Sequence, residues 1–305
     1  MLFKNLLIYR FTQSFTLDPE SLHQQLAAMP FRPCGSQELS TFGWVAPVGD
    51  GDAPLVHAAN GCQMICPQRQ SRLLPAAVVN DALAERVADI EAREARRPGK
   101  KERTDLKDEI VFELLPRAFT RTGRLYAYID PGAGLLMVNS GSHNRAEELL
   151  SQLRESLGSL PVLPLETRDP IPATLTHWLR DGAAPAGFAL GGECELRDSA
   201  DDSAVIRCKN QDLGSEEIRS HLDAGMYVSK LTLAWSGDIA FMVDDKLAVK
   251  RLKFGDLIND RLGEVNAESA AEQFDVDFAI MTGEFAAFVP ALLAALGGED
   301  SAAMP

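Results

Sequence analysis

Residues 75–116 read PAAVVNDALAERVADIEAREARRPGKKERTDLKDEIVFELLP, and the architecture turns on this stretch. Pro75 stands where a proline is tolerated, at a helix start. Val78, Val79, Leu83, Val87 and Ile90 then recur at three- or four-residue spacing, the period of one helix face. The pattern decays into charge near Arg96 and is broken by Pro98-Gly99. Thr104 is placed to cap a second helix with Leu106, Ile110, Val111, Leu114 and Leu115 as its apolar face, ending at Pro116. The two make a helical hairpin. At about 1.5 Å per residue, arms of roughly 22 and roughly 12 residues span about 33 and 18 Å, so the first is expected to project beyond the second and carry the turn at a protruding tip.

On either side the chain reads like a sheet protein. Residues 3–10 suit a strand, and Asp18-Pro19-Glu20 combines an N-cap, a first-turn proline and an early acid to start a helix running to about residue 29. A loop-rich passage punctuated by Pro33, Gly35, Gly43, Pro47, Gly49 and Gly51 leads to short strands over 55–59 and 62–66, joined at the Asn60-Gly61 turn signal. After the hairpin, strands over 124–129 and 135–138 flank Pro131-Gly132-Ala133-Gly134, and Ser142 caps a helix that closes at Gly158. Pro161, Pro164, Pro170 and Pro172 mark a linker and a domain boundary near residue 165. Beyond it come paired strands over 194–197 and 205–209, a short helix from Ser215-Glu216-Glu217 to Gly225, and strands over 227–235, 239–243 and 247–252. The remainder is mostly helical with an acidic outer face.

The fold class is therefore α+β, with mainly antiparallel sheets, packed helices and one projecting helical hairpin. Three parts follow: residues 1–74 with 117–165 as a central α+β domain, 75–116 as the tip, and 166–305 as a C-terminal α+β base.

With 305 residues, 46% hydrophobic and 24% charged, the chain has a globular composition and length for more than one domain. No apolar run approaches the roughly 20 residues of a bilayer span, and the first residues lack the pattern of a signal peptide, which points to the cytoplasm. Cys34, Cys62, Cys66, Cys194 and Cys208 are odd in number and scattered, which favours buried thiols over a disulfide framework or a zinc site. His23, His57, His143, His177 and His221 stand apart, so neither a metal nor a cofactor is expected. GxxxxGK[ST], GxGxxG, GxSxG, HExxH and paired CxxC motifs are missing, which disfavours an enzyme. Asp201-Asp202 and Asp244-Asp245 are the carboxylates a metal-dependent nuclease would need, but adjacent acids on a strand point to opposite faces and more often mark turns.

The charge pattern carries the functional signal. The chain has a formal net charge of −14, yet Arg96, Arg97, Lys100, Lys101, Arg103 and Lys107 face only Glu102 and Asp105, six against two or +4. Residues 254–305 hold ten carboxylates against Arg261 alone, a balance of −9 that leaves about −5 for the rest. Arg93 and the crowded cations of the hairpin lack the alternating acids of an i,i+4 lattice, so a polyanion is the natural counter-charge. Two further zones repeat the pattern. Arg117, Arg121 and Arg124 surround Phe119, and Lys246, Lys250, Arg251 and Lys253 occur without an acid among them. Lys246 and Lys250 are expected to share the solvent face of a strand, and Arg207, Lys209 and Gln211 alternate in the same way. Without a recognition helix or an aromatic array, such cations are expected to meet phosphates more than base edges.

The stretches FKNLLIYR from Phe3, FRPCGSQELSTFGWVAP from Phe31, LVHAANG from Leu55, LPAAVVNDALAERVA from Leu74, GKKERTDLKDE from Gly99, LPRAF from Leu115, YIDP from Tyr128, RAEELLSQLRESLGSLPV from Arg145 and CKNQDL from Cys208 together resemble the RdgC family of recombination-associated proteins. The resemblance runs nearly end to end and is thinnest over residues 254–305. It implies a ring-shaped homodimer without a catalytic centre, nucleoid-associated, that binds double-stranded DNA with little sequence preference and restrains RecA-promoted strand exchange. It further implies that the helical elements over 75–116 and the base of the C-terminal half make the two dimer contacts. Phe119 then belongs to the helical-end contact, with Arg117 beside it on the DNA side. The acidic end is expected to face outward and keep DNA from the outer rim. The alternative expectation is a protein-interaction module that restrains the recombinase by direct contact, DNA being secondary.

Overall fold

The computed structural model describes residues 2–300 apart from 50, 52, 202, 264–266 and 268. In chain order its elements are β1 (Leu7–Phe11), α1 (Pro19–Leu26), β2 (Ser40–Val45), β3 (Val56–Ala59), β4 (Cys62–Arg72), α2 (Ala76–Glu94), α3 (Lys100–Leu114), β5 (Thr120–Arg124), β6 (Ala127–Asp130), β7 (Leu135–Val138), α4 (His143–Leu157), β8 (Val162–Pro164), α5 (Ile171–Asp181), β9 (Phe188–Asp198), β10 (Val205–Lys209), α6 (Glu216–Asp223), β11 (Met226–Trp235), β12 (Ile239–Asp244), β13 (Val249–Phe254), α7 (Asp256–Gly263) and α8 (Ala270–Ala295). The chain is α+β, and every ladder between these strands is antiparallel. It divides into two compact units, one of residues 1–26, 46–65 and 125–305 and one of residues 27–45 and 66–124. The expected boundary near residue 165 falls inside the first.

In the first unit, residues 62–65 of β4 lie between β3 and β6, and β7, β1 and β8 continue the sheet. Asn60 and Gly61 both take positive φ, 53° and 74°, the two left-handed residues a type I′ turn demands, so Ala59 pairs directly with Cys62. Leu149, Leu150 and Leu153 of α4 are buried at helical spacing, and Gly158 closes the helix at φ 75°. Ser142 holds the N-cap place, but its hydroxyl makes no capping bond.

A five-stranded sheet in the order β10-β9-β11-β12-β13 follows, with α5 and α6 packed on β11. Sequence reading leaves α5 out because Pro170 and Pro172 suggest a linker, yet both fall at its N-terminus, where no helical N–H bond is lost. Helix α8 is long and apolar enough to cross a membrane, with mean hydropathy 1.7 over 18 residues, contrary to the expectation that no such run exists. Phe278, Met281, Phe285, Phe288, Val289 and Leu292 along it are buried. Rings of Phe241 and Phe288 meet edge to face at 4.9 Å, and Phe3 lies against Tyr128 and Phe285. Each such ring contributes on the order of 2–3 kcal/mol by leaving water, so this face of α8 is the core of the unit. Its outer face is acidic only early, at Glu272 and Asp275. Further along it exposes Gly283, Ala286, Ala287, Pro290 and Ala294, a correction to the expected acidic face.

In the second unit, residues 66–72 of β4 run between β2 and β5. Both flanking strands escape sequence reading. A Cβ on Gly43 in β2 would meet the Phe31 Cα at 2.5 Å, where the Phe31 amide donates to Trp44 O at 2.9 Å, so glycine here serves a close backbone approach. Strand β5, TRTGR, is exposed at every residue and has no alternation to read. Helix α3 begins at Lys100 with Gly99 as its cap, five residues earlier than the expected cap at Thr104, because Glu102 reaches back to the Gly99 N–H. Thr104 is therefore no cap, and its hydroxyl donates to Lys100 O at 3.1 Å. With 19 and 15 residues in α2 and α3, the arms span about 28 and 22 Å and are closer in length than expected.

Candidate nucleic-acid interface

Around the hairpin turn, carboxylates hold part of the charge. Arg96 donates to both Glu102 oxygens at 2.7 and 2.8 Å and to Glu94 at 2.6 Å. Glu102 first and Glu94 second push its pKa up. Arg97 lies 3.4 Å from Glu91, and Arg86 reaches Glu113 across the arms at 3.1 Å. The turn thus carries an ion-pair lattice that i,i+4 spacing does not reveal, since Arg96 and Arg97 stand beyond the end of α2 and the Arg86–Glu113 pair joins the two helices. Arg93, Lys100, Lys101, Arg103 and Lys107 are exposed and have no acidic partner among the described residues. Of these, Lys100, Arg103 and Lys107 follow i, i+3, i+7 spacing along α3 and line one groove with Leu83, Pro98 and Thr104. The other side of α3 presents Asp105, Asp108, Glu109 and Glu113 around Phe112, which is 61% exposed. Apart from Lys101, which falls on the acidic side with Asp105 and Asp108, the helix separates the two signs.

Below the hairpin, a 3₁₀ turn over Leu115–Arg117 leads into β5. Arg72, which sequence reading passes over, pins this turn by donating to Leu115 O at 2.9 Å and Ala118 O at 3.1 Å. The Leu73 N–H donates to Phe119 O at 2.7 Å. Phe119 is left 83% exposed, which removes an ordinary core role for it. Arg117 is exposed beside it. Arg121 and Arg124 do not act together, because an odd separation on β5 sends them to opposite faces. Arg124 shares its face with Gln68, to which it donates at 3.1 Å.

A second cationic surface lies in the first unit, on the five-stranded sheet. Cross-strand pairing sets Arg207 opposite Glu195 and Glu195 opposite Lys230. Glu195 is only 5% exposed. It accepts from Arg207 Nε at 2.8 Å, Lys230 Nζ at 2.8 Å, Arg197 Nη2 at 3.2 Å and the Ser229 hydroxyl at 3.1 Å. Burial alone would raise its pKa, but the Lys230 and Arg207 hydrogen bonds outweigh that and hold it at about 2. Lys209 and Gln211 are exposed nearby along the chain.

The expected stripe of Lys246 and Lys250 is not formed. Asp244 accepts from the Lys246 and Ala248 amides at 3.0 and 2.9 Å, making residues 244–248 a turn, so Lys246 stands outside β13. Lys250 sits on the strand but pairs with Asp244 at 2.7 Å, and Arg251, at φ 53°, pairs with Glu193 at 2.7 Å. Arg197 and Lys230 are the functional candidates that sequence reading misses.

Two of the carboxylates considered for catalysis, Asp201 and Asp244, have structural partners. Asp201 accepts from the Ser203 amide and hydroxyl at 2.9 and 2.6 Å, Asp244 organises its turn, and Asp202 lies outside the described residues. Asp245 is half-buried, and burial first and Asp244 second raise its pKa. Among the described residues, no three His, Cys, Asp or Glu side chains gather as metal ligands. Four of the five thiols are buried as expected, and Cys34 is half-buried.

Comparison with known proteins agrees along the whole length. Residues 1–299 match the family described as "Putative exonuclease, RdgC". The recombination-associated protein RdgC of Pseudomonas aeruginosa (strain LESB58) is 52% identical over 301 residues, 98% of each chain. That of Pseudomonas putida (strain GB-1) is 48% identical over the same span. The RdgC of Tolumonas auensis is 46% identical over 301 residues, 99% of this chain and 100% of its own. With a full-length family match and relatives at this identity, the chain belongs to the RdgC family of recombination-associated proteins.

Proposed function

We propose that this chain is a non-enzymatic, non-sequence-specific double-stranded DNA-binding protein of the bacterial cytoplasm and nucleoid. In this reading it acts as a homodimer closed around the duplex and limits RecA-promoted strand exchange. The observation that carries the reading is the collection of uncompensated cations Lys100, Arg103 and Lys107 along one groove of α3, in a chain of net charge −14. A chain that is acidic overall gains nothing for solubility from an unpaired basic groove, whereas phosphates supply the missing counter-charge. The sheet cations Arg197, Arg207 and Lys230, gathered on Glu195, and the exposed Lys209 give a second contact with phosphate. Exposed Phe119, on a turn pinned by Arg72, suits the helical-end contact between two copies. Residues 75–116 then serve as the tip, 1–74 with 117–165 as the centre, and 166–305 as the base.

Retention on DNA tests enclosure. The protein is expected to stay on relaxed circular duplex through a high-salt wash and to leave once the circle is cut. Equal loss from both overturns enclosure, and a salt-independent affinity overturns phosphate binding itself.

The family description favours a second reading, a nuclease. Incubation of end-labelled linear duplex and of closed plasmid with magnesium or manganese decides it, and both substrates intact is the expected outcome.

A further inference from the structure

The least economical arrangement on the five-stranded sheet is three cations on one buried carboxylate. One buried carboxylate needs only one well-placed cation to offset its desolvation, and the cations here reach solvent, so stability alone does not call for three. Here Arg197, Arg207 and Lys230 stand against Glu195, and counting Lys246 and Asp245 beside them gives four against two, an excess of +2. Asp244 does not cancel it, since Lys250 and the Lys246 and Ala248 amides already occupy its oxygens.

The donors are also only partly used. Arg207 gives Glu195 its Nε alone and is 66% exposed, which leaves both terminal NH₂ groups without a described partner. Lys230 spends one of three donors, and Arg197 keeps Nη1. The three come from neighbouring strands β10, β9 and β11, held in register by the backbone ladder and by a bulge at Ser229 whose hydroxyl also reaches Glu195. Their positions are therefore fixed before any ligand arrives.

We propose that Arg197, Arg207 and Lys230 form a seat for a backbone phosphodiester of duplex DNA, with Glu195 as the positioning residue that orients all three. This rests on the DNA-binding reading above and assigns part of it to one place. The sign of one substitution separates positioning from plain electrostatics. If Glu195 merely adds negative charge near DNA, Glu195→Gln tightens binding by removing a repulsion. If it positions the cations, the same change weakens binding although the protein has become less acidic.

The test is fluorescence anisotropy on a duplex of about 30 base pairs over a salt series, with melting temperature recorded for each variant. Glu195→Gln is expected to weaken binding by on the order of tenfold, as for loss of charge-assisted bonds that fix a donor. Arg207→Gln and Lys230→Gln should each weaken binding and lower the log–log salt slope, and because the seat holds one phosphate the two losses together stay within about 0.9. Unchanged or tighter binding by folded Glu195→Gln overturns the proposal. Should that variant melt too early to be read, an Arg207→Gln, Lys230→Gln double-mutant cycle replaces it. Two cations on one phosphate lose less together than the sum of their separate losses, and strict additivity overturns the shared seat. A wild-type protein that fails to bind duplex at any salt overturns the DNA reading itself, a result distinct from either.

Discussion

The hairpin and the five-stranded sheet are both basic, and they become so in opposite ways. On the hairpin the cations are dense in sequence, exposed, and partly tied to equally exposed acids such as Glu94 and Glu102. On the sheet they are sparse in sequence, up to 33 residues apart from Arg197 to Lys230, and gather on one buried carboxylate. Exposed pairs contribute little to stability and are easily exchanged for phosphate, whereas a buried pair costs much to break and fixes geometry. The comparison makes the hairpin a flexible electrostatic surface and the sheet a preset one.

The largest expected effect comes from emptying the hairpin groove. Replacing Lys100, Arg103 and Lys107 together by Gln should lower the log–log salt slope by about 2.7 and the affinity at 0.15 M salt by on the order of a hundredfold. The melting temperature should stay unchanged, since none of the three has an acidic partner among the described residues. A fall in melting temperature would mean the groove is a folding element and would break the comparison from the hairpin side.

The sheet should answer to acid instead. A carboxylate whose pKa falls from 4.5 to about 2 on folding stabilises the native state above pH 4.5, and that contribution is lost as pH drops through 2. Glu195→Gln should therefore cost about 2 kcal/mol at pH 7, below the usual figure for a broken buried pair because Arg197 and Arg207 reach solvent. It should also flatten the acid limb of stability between pH 4.5 and 2. Urea unfolding at several pH values checks both, and an unaltered acid limb would place the proton uptake elsewhere.

The same contrast explains what was legible beforehand. Locally coded features emerge as expected: the Asn60-Gly61 hairpin, the helix after Ser215, the Gly158 cap and the two arms around Pro98-Gly99. Hairpin cations are legible too, because density along the chain is a sequence property. The Glu195 site is not, since it depends on which residues of β10, β9 and β11 stand opposite one another, and a bulge at Ser229 resets that register. Strand β2 hides for a related reason, its Gly43 answering to the Phe31 backbone twelve residues away. Lys246 is misplaced because an aspartate that accepts two amides, at 246 and 248, turns the chain where alternation suggests a strand.

Phe119 sharpens the hairpin side, because the sheet exposes no comparable ring while this one is 83% exposed. Phe119→Ala should leave the melting curve of the fold in place and weaken self-association about tenfold or more, as for an aromatic anchor at an interface. Sedimentation velocity over a concentration series reads it. An unchanged sedimentation profile would remove Phe119 from the contact between copies.

The smallest effect is the most discriminating, because the two regions should respond to the same chemical change with opposite signs. Glu102→Gln deletes the carboxylate that holds Arg96 from both oxygens, as Glu195→Gln deletes the one that holds Arg197, Arg207 and Lys230. The amide oxygen of the substituted side chain still offers an acceptor to the Gly99 N–H that starts α3, so the helix should form as before. Arg96 then keeps Glu94 on its Nε while its two NH₂ groups are freed for phosphate, and the turn gains one positive charge. Duplex binding should tighten slightly, with the salt slope rising by no more than about 0.9. Weaker binding would show that the hairpin, too, uses its carboxylates to aim cations, and the two surfaces would then work by one principle. Tighter binding from Glu102→Gln beside weaker binding from Glu195→Gln would establish that burial of the carboxylate decides whether it competes with DNA or prepares the site for it.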